Sequence, residues 1–216
     1  MLQPTLNYAY SVTLVGVAAY AILRYKMVDK TTRYIFLWIW LGLLTEAAGY
    51  IAIRLFQTNL PVYSISSILE FIILCLYFNK SVPPLKERAI GLLLAVAGLL
   101  LGILNTIFLQ PLQTVNSNFL FLECLVIVCL ALYALYRMFV EPDLKLWKET
   151  HFCFSCLIVF YECVSLWNWG IYGYIVQFYP EKSMVLNISL IAGNLLVYLS
   201  CGILIYLYPK MRQTYV

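Results

Sequence analysis

Charge is scarce in this sequence. Of its 216 residues, 11% are Asp, Glu, Lys or Arg, against roughly 25% in soluble domains. Histidine is scarcer still, His151 being the only one. A His-rich zinc hydrolase centre cannot be built from one histidine. A Ser–His dyad deep in the membrane is excluded too, because His151 falls at the edge of an apolar segment, where it reads as an interfacial residue. No Lys occupies the middle of the last apolar segment, so a retinal Schiff base has no attachment point. Gly-rich phosphate loops and dinucleotide fingerprints are absent. Nothing combines clustered basic residues with a soluble scaffold, which argues against nucleic acid as a partner. The seven cysteines (Cys75, Cys124, Cys129, Cys153, Cys156, Cys163 and Cys201) all lie in apolar stretches and read as small buried hydrophobes. Cys153 and Cys156 form one CxxC, but no second pair completes a metal set.

What is present is hydrophobicity. Apolar residues make up 63% of the chain, and the mean hydropathy is +0.87. Apolar runs long enough to span a bilayer as helices fall at about 4–24, 34–56, 61–79, 89–108, 116–138, 151–176 and 184–208. The expected fold is therefore all-α, a polytopic membrane protein forming one seven-helix transmembrane domain over residues 1–216. Too few residues remain for a folded soluble domain. The first apolar run is read as a span and not as a cleavable signal, since no basic region precedes it. All eight prolines (Pro4, Pro61, Pro83, Pro84, Pro111, Pro142, Pro180 and Pro209) sit at or beyond segment ends. Inside a helix each would remove a hydrogen bond and clash with the preceding turn.

Twelve of the fourteen basic residues fall in alternate connections and the tail: Arg24, Lys26, Lys30 and Arg33; Lys80, Lys86 and Arg88; Arg137, Lys145 and Lys148; Lys210 and Arg212. The opposite side keeps Arg54 and Lys182. By the positive-inside rule the N-terminus is outside and the C-terminus cytoplasmic. This distribution accounts for the net charge of +4 without an acidic partner. Trp167, Trp169, Tyr172, Tyr174, Phe178 and Tyr179 at the outer end of the sixth span read as an interfacial aromatic belt.

Four acidic residues lie inside spans: Glu46 in the second, Glu70 in the third, Glu123 in the fifth and Glu162 in the sixth. Glu123 follows Asn116 by seven residues, which sets it about 10 Å below the outer end at 1.5 Å per residue. Ionisable groups at such depth are costly and face a bundle interior or a wet cavity. Residues three, four or seven apart share a helix face. That spacing groups Gly42, Glu46, Gly49 and Tyr50; Tyr63, Ser67, Glu70 and Tyr77; Asn116 and Glu123; Ser155, Glu162, Ser165 and Trp169; and Asn187, Asn194, Tyr198 and Cys201. Together they predict one polar interior lined by spans two, three, five, six and seven. The fourth span differs, with Gly91, Ala95, Gly98 and Gly102 forming a small-residue face suited to internal packing.

No Lys or Arg lies at mid-membrane to neutralise these carboxylates. They must be protonated, share protons, hydrogen-bond to Tyr, Asn and Ser, or bind a cation. Neutral Glu residues gluing helices together, each bond worth about 1–2 kcal/mol or less, are the plain structural reading. A hard cation such as Mg²⁺, Mn²⁺ or Ca²⁺ would also suit four carboxylates, so the metal is left open, and no cofactor is expected.

The segment Val62–Phe78 (VYSISSILEFIILCLYF) and the aromatic-rich Phe160–Tyr174 (FYECVSLWNWGIYGY) resemble a pattern in small seven-helix membrane proteins of unknown function from Bacteroidetes-type bacteria. The layout is also similar to the seven-helix sensing modules of bacterial histidine kinases. The resemblance implies a bacterial inner (cytoplasmic) membrane and no assigned activity.

The leading expectation is a non-enzymatic ligand-binding or sensing module. Glu46, Glu70, Glu123 and Glu162, with Tyr63, Asn168, Asn187 and Asn194, would line a pocket opening outward, where Asn116, Asn118 and Asn168 converge on the carboxylates. Its partners would be the lipid bilayer, a small-molecule, lipid or cation ligand, and a separate signalling protein. A proton- or cation-coupled transporter is the alternative, followed by a lipid-modifying enzyme using a carboxylate pair, and by a scaffold whose Glu residues are glue.

Overall fold

A computed structural model of the chain describes residues 2–140, 146 and 149–208. Lys145, Lys148, Lys210 and Arg212 of the charge pattern, Pro142 and Pro209, and the side chain of Tyr172 lie outside the described residues. The fold is all-α, with no strand among the described residues. In chain order the helices are α1 (Leu2–Arg24), α2 (Thr32–Phe56), α3 (Leu60–Ser81), the short α4 (Pro83–Glu87), α5 (Ile90–Leu104), α6 (Ser117–Val140), α7 (Thr150–Phe178) and α8 (Ser183–Leu207). Seven helical segments are long and apolar enough to cross a membrane: all the helices but α4, with α5 counted together with the turn that extends it to Leu109.

Local chemistry explains where these helices start and stop. Pro61 opens α3 and the Pro83-Pro84 pair opens α4, positions where a missing N–H costs nothing and the fixed φ suits the first turn. Helix α4 lies where the sequence pattern predicts only a connection. Gln57 closes α2 in the left-handed conformation (φ 59°), its N–H returning to the Ile53 carbonyl. Ala89 takes the same unusual conformation (φ 51°) and turns the chain from α4 into α5. Beyond Leu104, α5 widens into a π-helical turn, Asn105–Leu109, and the Gln110 N–H closes it on the Asn105 carbonyl at 2.7 Å.

Six of the long helices close a ring. Going round it, α1 packs on α2, α2 on α3, α3 on α6, α6 on α7, α7 on α8, and α8 on α1. Helix α5 stands outside the ring, seated chiefly on α3. Its Gly91, Ala95, Gly98 and Gly102 are buried. A Cβ at Gly98 would overlap the Phe71 ring, and one at Gly102 would press on Ile68 at 2.7 Å. The small-residue face thus serves internal packing, as the sequence suggested, and lets α5 approach α3 closely.

The buried core includes Phe36 and Trp38 of α2, Phe71 and Tyr77 of α3, Ile127 of α6, Phe154 of α7 and Val197 of α8, with Phe71 lying at the α3–α5 seam. Large apolar side chains such as Leu93, Leu100, Phe108, Phe121 and Leu196 point outward, as hydrocarbon-facing helices require. The cysteines divide in a way the sequence did not indicate. Cys75, Cys124 and Cys201 are buried, whereas Cys129, Cys156 and Cys163 are exposed on the helix surfaces, and none is in a disulfide.

Candidate functional site

The ring brings three of the four intramembrane glutamates together. Glu70 comes from α3, Glu123 from α6 and Glu162 from α7, and the three carboxyl groups interact electrostatically. Glu70 is held in place: the Trp38 indole N–H donates to Oε1 at 2.6 Å, and Tyr161 adds a second hydrogen-bonding contact. Trp38 is itself fixed between Tyr161, edge-on at 5.2 Å, and Tyr198, stacked at 6.0 Å. Glu162 is 1% exposed; the Cys124 thiol reaches it, while its Oε1 has no hydrogen-bond partner. Glu123 is 3% exposed, and neither of its carboxyl oxygens has a partner. A buried polar group left unpaired costs about 1–3 kcal/mol, more if charged, so a native fold retains one where something else satisfies it.

Glu46 stands apart from this cluster. Tyr10 donates to its Oε1 at 3.1 Å and Tyr63 to its Oε2 at 3.3 Å, and the site is partly open, with Tyr63 39% exposed. The reason is angular. Eight residues separate Glu46 from Trp38, which turns it about 80° round α2. Trp38, not Glu46, therefore fills the face of α2 directed at Glu70. Tyr198 interacts electrostatically with both Glu70 and Glu46 and so stands between the two sites.

The other expected lining residues are distributed differently. Asn168 is buried, but its amide donates to the Val164 carbonyl at 2.8 Å and its oxygen accepts from the Ser189 hydroxyl at 2.7 Å; both ends tie α7 to itself and to α8. Asn194 is half-buried, with a buried oxygen lacking a partner. Asn187 is exposed, because its seven-residue spacing from Asn194 keeps the face but carries it to the first turns of α8. Tyr50 is 62% exposed and accepts from Arg54 at 2.9 Å, so it does not face the interior with Glu46. The expected convergence of Asn116 and Asn118 on the carboxylates does not occur. Asn116 accepts from the Asn105 amide, Gln110 bonds Ser117 and the Asn118 N–H, and Asn118 is exposed. These residues knot the α5–α6 connection.

Trp38, Tyr161, Cys124 and Tyr10 were missed as site residues. A signal for Trp38 was present, since Trp38, Gly42, Thr45 and Gly49 follow steps of four, three and four. Thr45 and Gly49 of that stripe are buried, and Thr45 hydrogen-bonds Ser66 on α3.

A second polar group closes the end of the bundle where α1 meets α2. Asp29 accepts from the Thr31 N–H at 2.6 Å, the Thr32 N–H at 3.1 Å and the Thr32 hydroxyl at 2.5 Å. It also accepts from the Tyr208 hydroxyl at 2.7 Å, which joins this loop to the end of α8. Burial opposes the charge on Asp29, but the Thr32 and Tyr208 bonds, with His151 nearby, hold its carboxyl below the usual value. Burial pushes the Tyr208 phenol up to about 12. His151 is 1% exposed and bonds the Tyr77 hydroxyl through Nδ1 at 3.2 Å. It packs against α3 inside the bundle and is not the interfacial residue its sequence position suggested.

Among the described residues, no three His, Cys, Asp or Glu side chains gather closely enough to hold a metal ion. No protein-family model matches the chain, and no curated protein or solved structure matches it either.

Proposed function

We propose that this chain is an integral membrane ligand-binding or sensing module whose site is the Glu70–Glu123–Glu162 cluster. The observation that carries the reading is Glu123, buried with two unpartnered oxygens inside a ring of helices. If the Glu residues were only glue, one bond from each would suffice, and Glu70 meets that description through Trp38. Glu123 does not. Trp38, Tyr161 and Tyr198 supply a rigid aromatic wall beside the carboxyls, the combination of apolar surface with a few fixed polar groups that small-molecule sites use. The membrane is a bacterial inner membrane in this reading, with the N-terminus outside, a placement supported by the alternation of basic residues along the chain.

Native mass spectrometry of detergent-purified protein tests the proposal. A bound species present in the wild type and lost in Glu123→Gln and Glu162→Gln supports it. Ligand-free spectra for all three, from equally folded samples, count against it.

A proton-coupled transporter is the second reading. It is favoured by three mutually interacting carboxyls on three different helices with no Lys or Arg among them, since unpaired carboxyls at such depth are the groups that proton relays use. Proton-dependent solute flux in proteoliposomes, abolished by Glu70→Gln, would establish it.

A further inference from the structure

Among the described residues, the side-chain atoms left without partners in the middle of the bundle are of one kind. They are Glu123 Oε1 and Oε2, Glu162 Oε1 and Asn194 Oδ1. Each is an acceptor. Groups able to donate are unpartnered as well, but nearer the bundle ends: on Arg33 and Asn116, and in the first two turns of α7 on Thr150, His151 and Ser155. A group that satisfies the central set must therefore bring hydrogen-bond donors. It must also bring positive charge to stabilise an ionised carboxylate, since no Lys or Arg of the protein is bonded there.

Three donor-bearing occupants can be compared. A divalent metal needs several oxygen ligands in a tight shell, and no three acidic side chains gather that closely. Water brings donors but no charge. A primary ammonium brings one positive charge and three N–H donors, and the unpartnered carboxyl oxygens of Glu123 and Glu162 number three. Trp38 and Tyr198 flank Glu70, Tyr161 interacts with all three carboxyls, and aromatic faces attract organic cations by about 0.5–2 kcal/mol. Glu70 is already engaged by Trp38 and contributes charge, not a free acceptor.

From this complementarity we infer that the carboxyl site takes a small organic amine in its protonated, N–H-bearing form, with Glu123 and Glu162 as the receiving groups. The inference rests on the ligand-binding reading given above and names its ligand class.

Thermal unfolding of the purified wild type at pH 7.5 and constant ionic strength tests it, with methylammonium, tetramethylammonium, potassium and magnesium chlorides as probes. Methylammonium should give a saturable rise in Tm, on the order of 3 °C at ten times its dissociation constant. Tetramethylammonium, equally charged but without N–H donors, should give none, nor should potassium or magnesium. Glu123→Gln and Glu162→Gln should each abolish the methylammonium shift, and Glu46→Gln should keep it. An equal shift with tetramethylammonium, or no shift with methylammonium, overturns the inference from the wild type alone, even if a variant fails to fold. A co-purifying species lost in Glu123→Gln, with no response to methylammonium, would leave the binding module standing and remove the amine.

Discussion

The Trp38 indole and the Glu70 carboxyl, 32 residues apart in the chain, meet at 2.6 Å and join α2 to α3 at the level of the carboxyl cluster. The bond orients Glu70 and leaves the indole N–H no other partner. Trp38→Phe keeps most of the ring packing and removes the donor. It should destabilise the protein by about 1–3 kcal/mol, read as a lowered midpoint in thermal unfolding. Glu70→Gln retains a carbonyl acceptor and should cost less.

The close seat of α5 on α3 gives a sharper steric test. Gly98→Val places side-chain atoms where the Phe71 ring lies, and should destabilise by about 1–3 kcal/mol as overpacking does. Gly170 on α7 has open space around it. Gly170→Ala should be neutral or stabilise by roughly 0.5–1 kcal/mol. Thermal melts of the two variants in one detergent make the comparison.

Asp29 sets a pH dependence whose sign follows from its bonds. Its folded carboxyl lies below the ordinary value of 3.8, so the unfolded chain takes up the proton first as pH falls. The Thr32 and Tyr208 bonds therefore stabilise fully above that ordinary value, and the contribution is lost as pH drops through the folded value. Asp29→Asn should lower the melting midpoint at pH 7 and flatten its decline below pH 4, measured against the wild type across that range. Tyr208→Phe should reproduce part of the effect.

Glu46 provides the internal control for the site. Both of its oxygens are served by tyrosines, so Glu46→Gln should leave any species bound at the Glu123 cluster in place. Tyr10→Phe and Tyr63→Phe should each cost about 0.6 kcal/mol, the usual size of such bonds within a membrane. Loss of the bound species on changing Glu46 would merge the two sites.

Orientation is open to a direct check. A single cysteine placed at Thr58, between α2 and α3, should react with a membrane-impermeant maleimide added outside intact cells. One placed at Lys30, between α1 and α2, should react only after lysis. The reverse pattern would invert the topology read from the basic residues.

Helix number, helix ends and the buried faces of α3 and α7 were legible because they depend on local terms: apolar run length, proline placement and a period of 3.6. Ser67, Tyr77, Ser155, Glu162 and Ser165 are buried, as their spacing indicated, whereas Tyr63, grouped on the same α3 stripe, is 39% exposed. Glu46 was misgrouped because periodicity gives a face and a depth but not the neighbour. Which helix faces which depends on long-range packing, here the choice that seats α5 outside the ring and brings α6 against α3. His151 was misjudged for the same reason. Its depth from the helix end was right, but the Tyr77 partner on α3 is invisible to a local pattern.

The position of α5 outside the ring has a mechanical consequence. With it set aside, the ring consists of two sequence-contiguous halves, α1–α3 and α6–α8, which meet along the α3/α6 and α1/α8 borders. The chain passes from one half to the other only through α4, α5 and the connection that follows. Glu70 belongs to the first half, Glu123 and Glu162 to the second. The carboxyl cluster is thus assembled from both halves and exists only where they meet. Because the backbone links the halves at a single point, the integrity of the cluster rests on side-chain packing along the two borders.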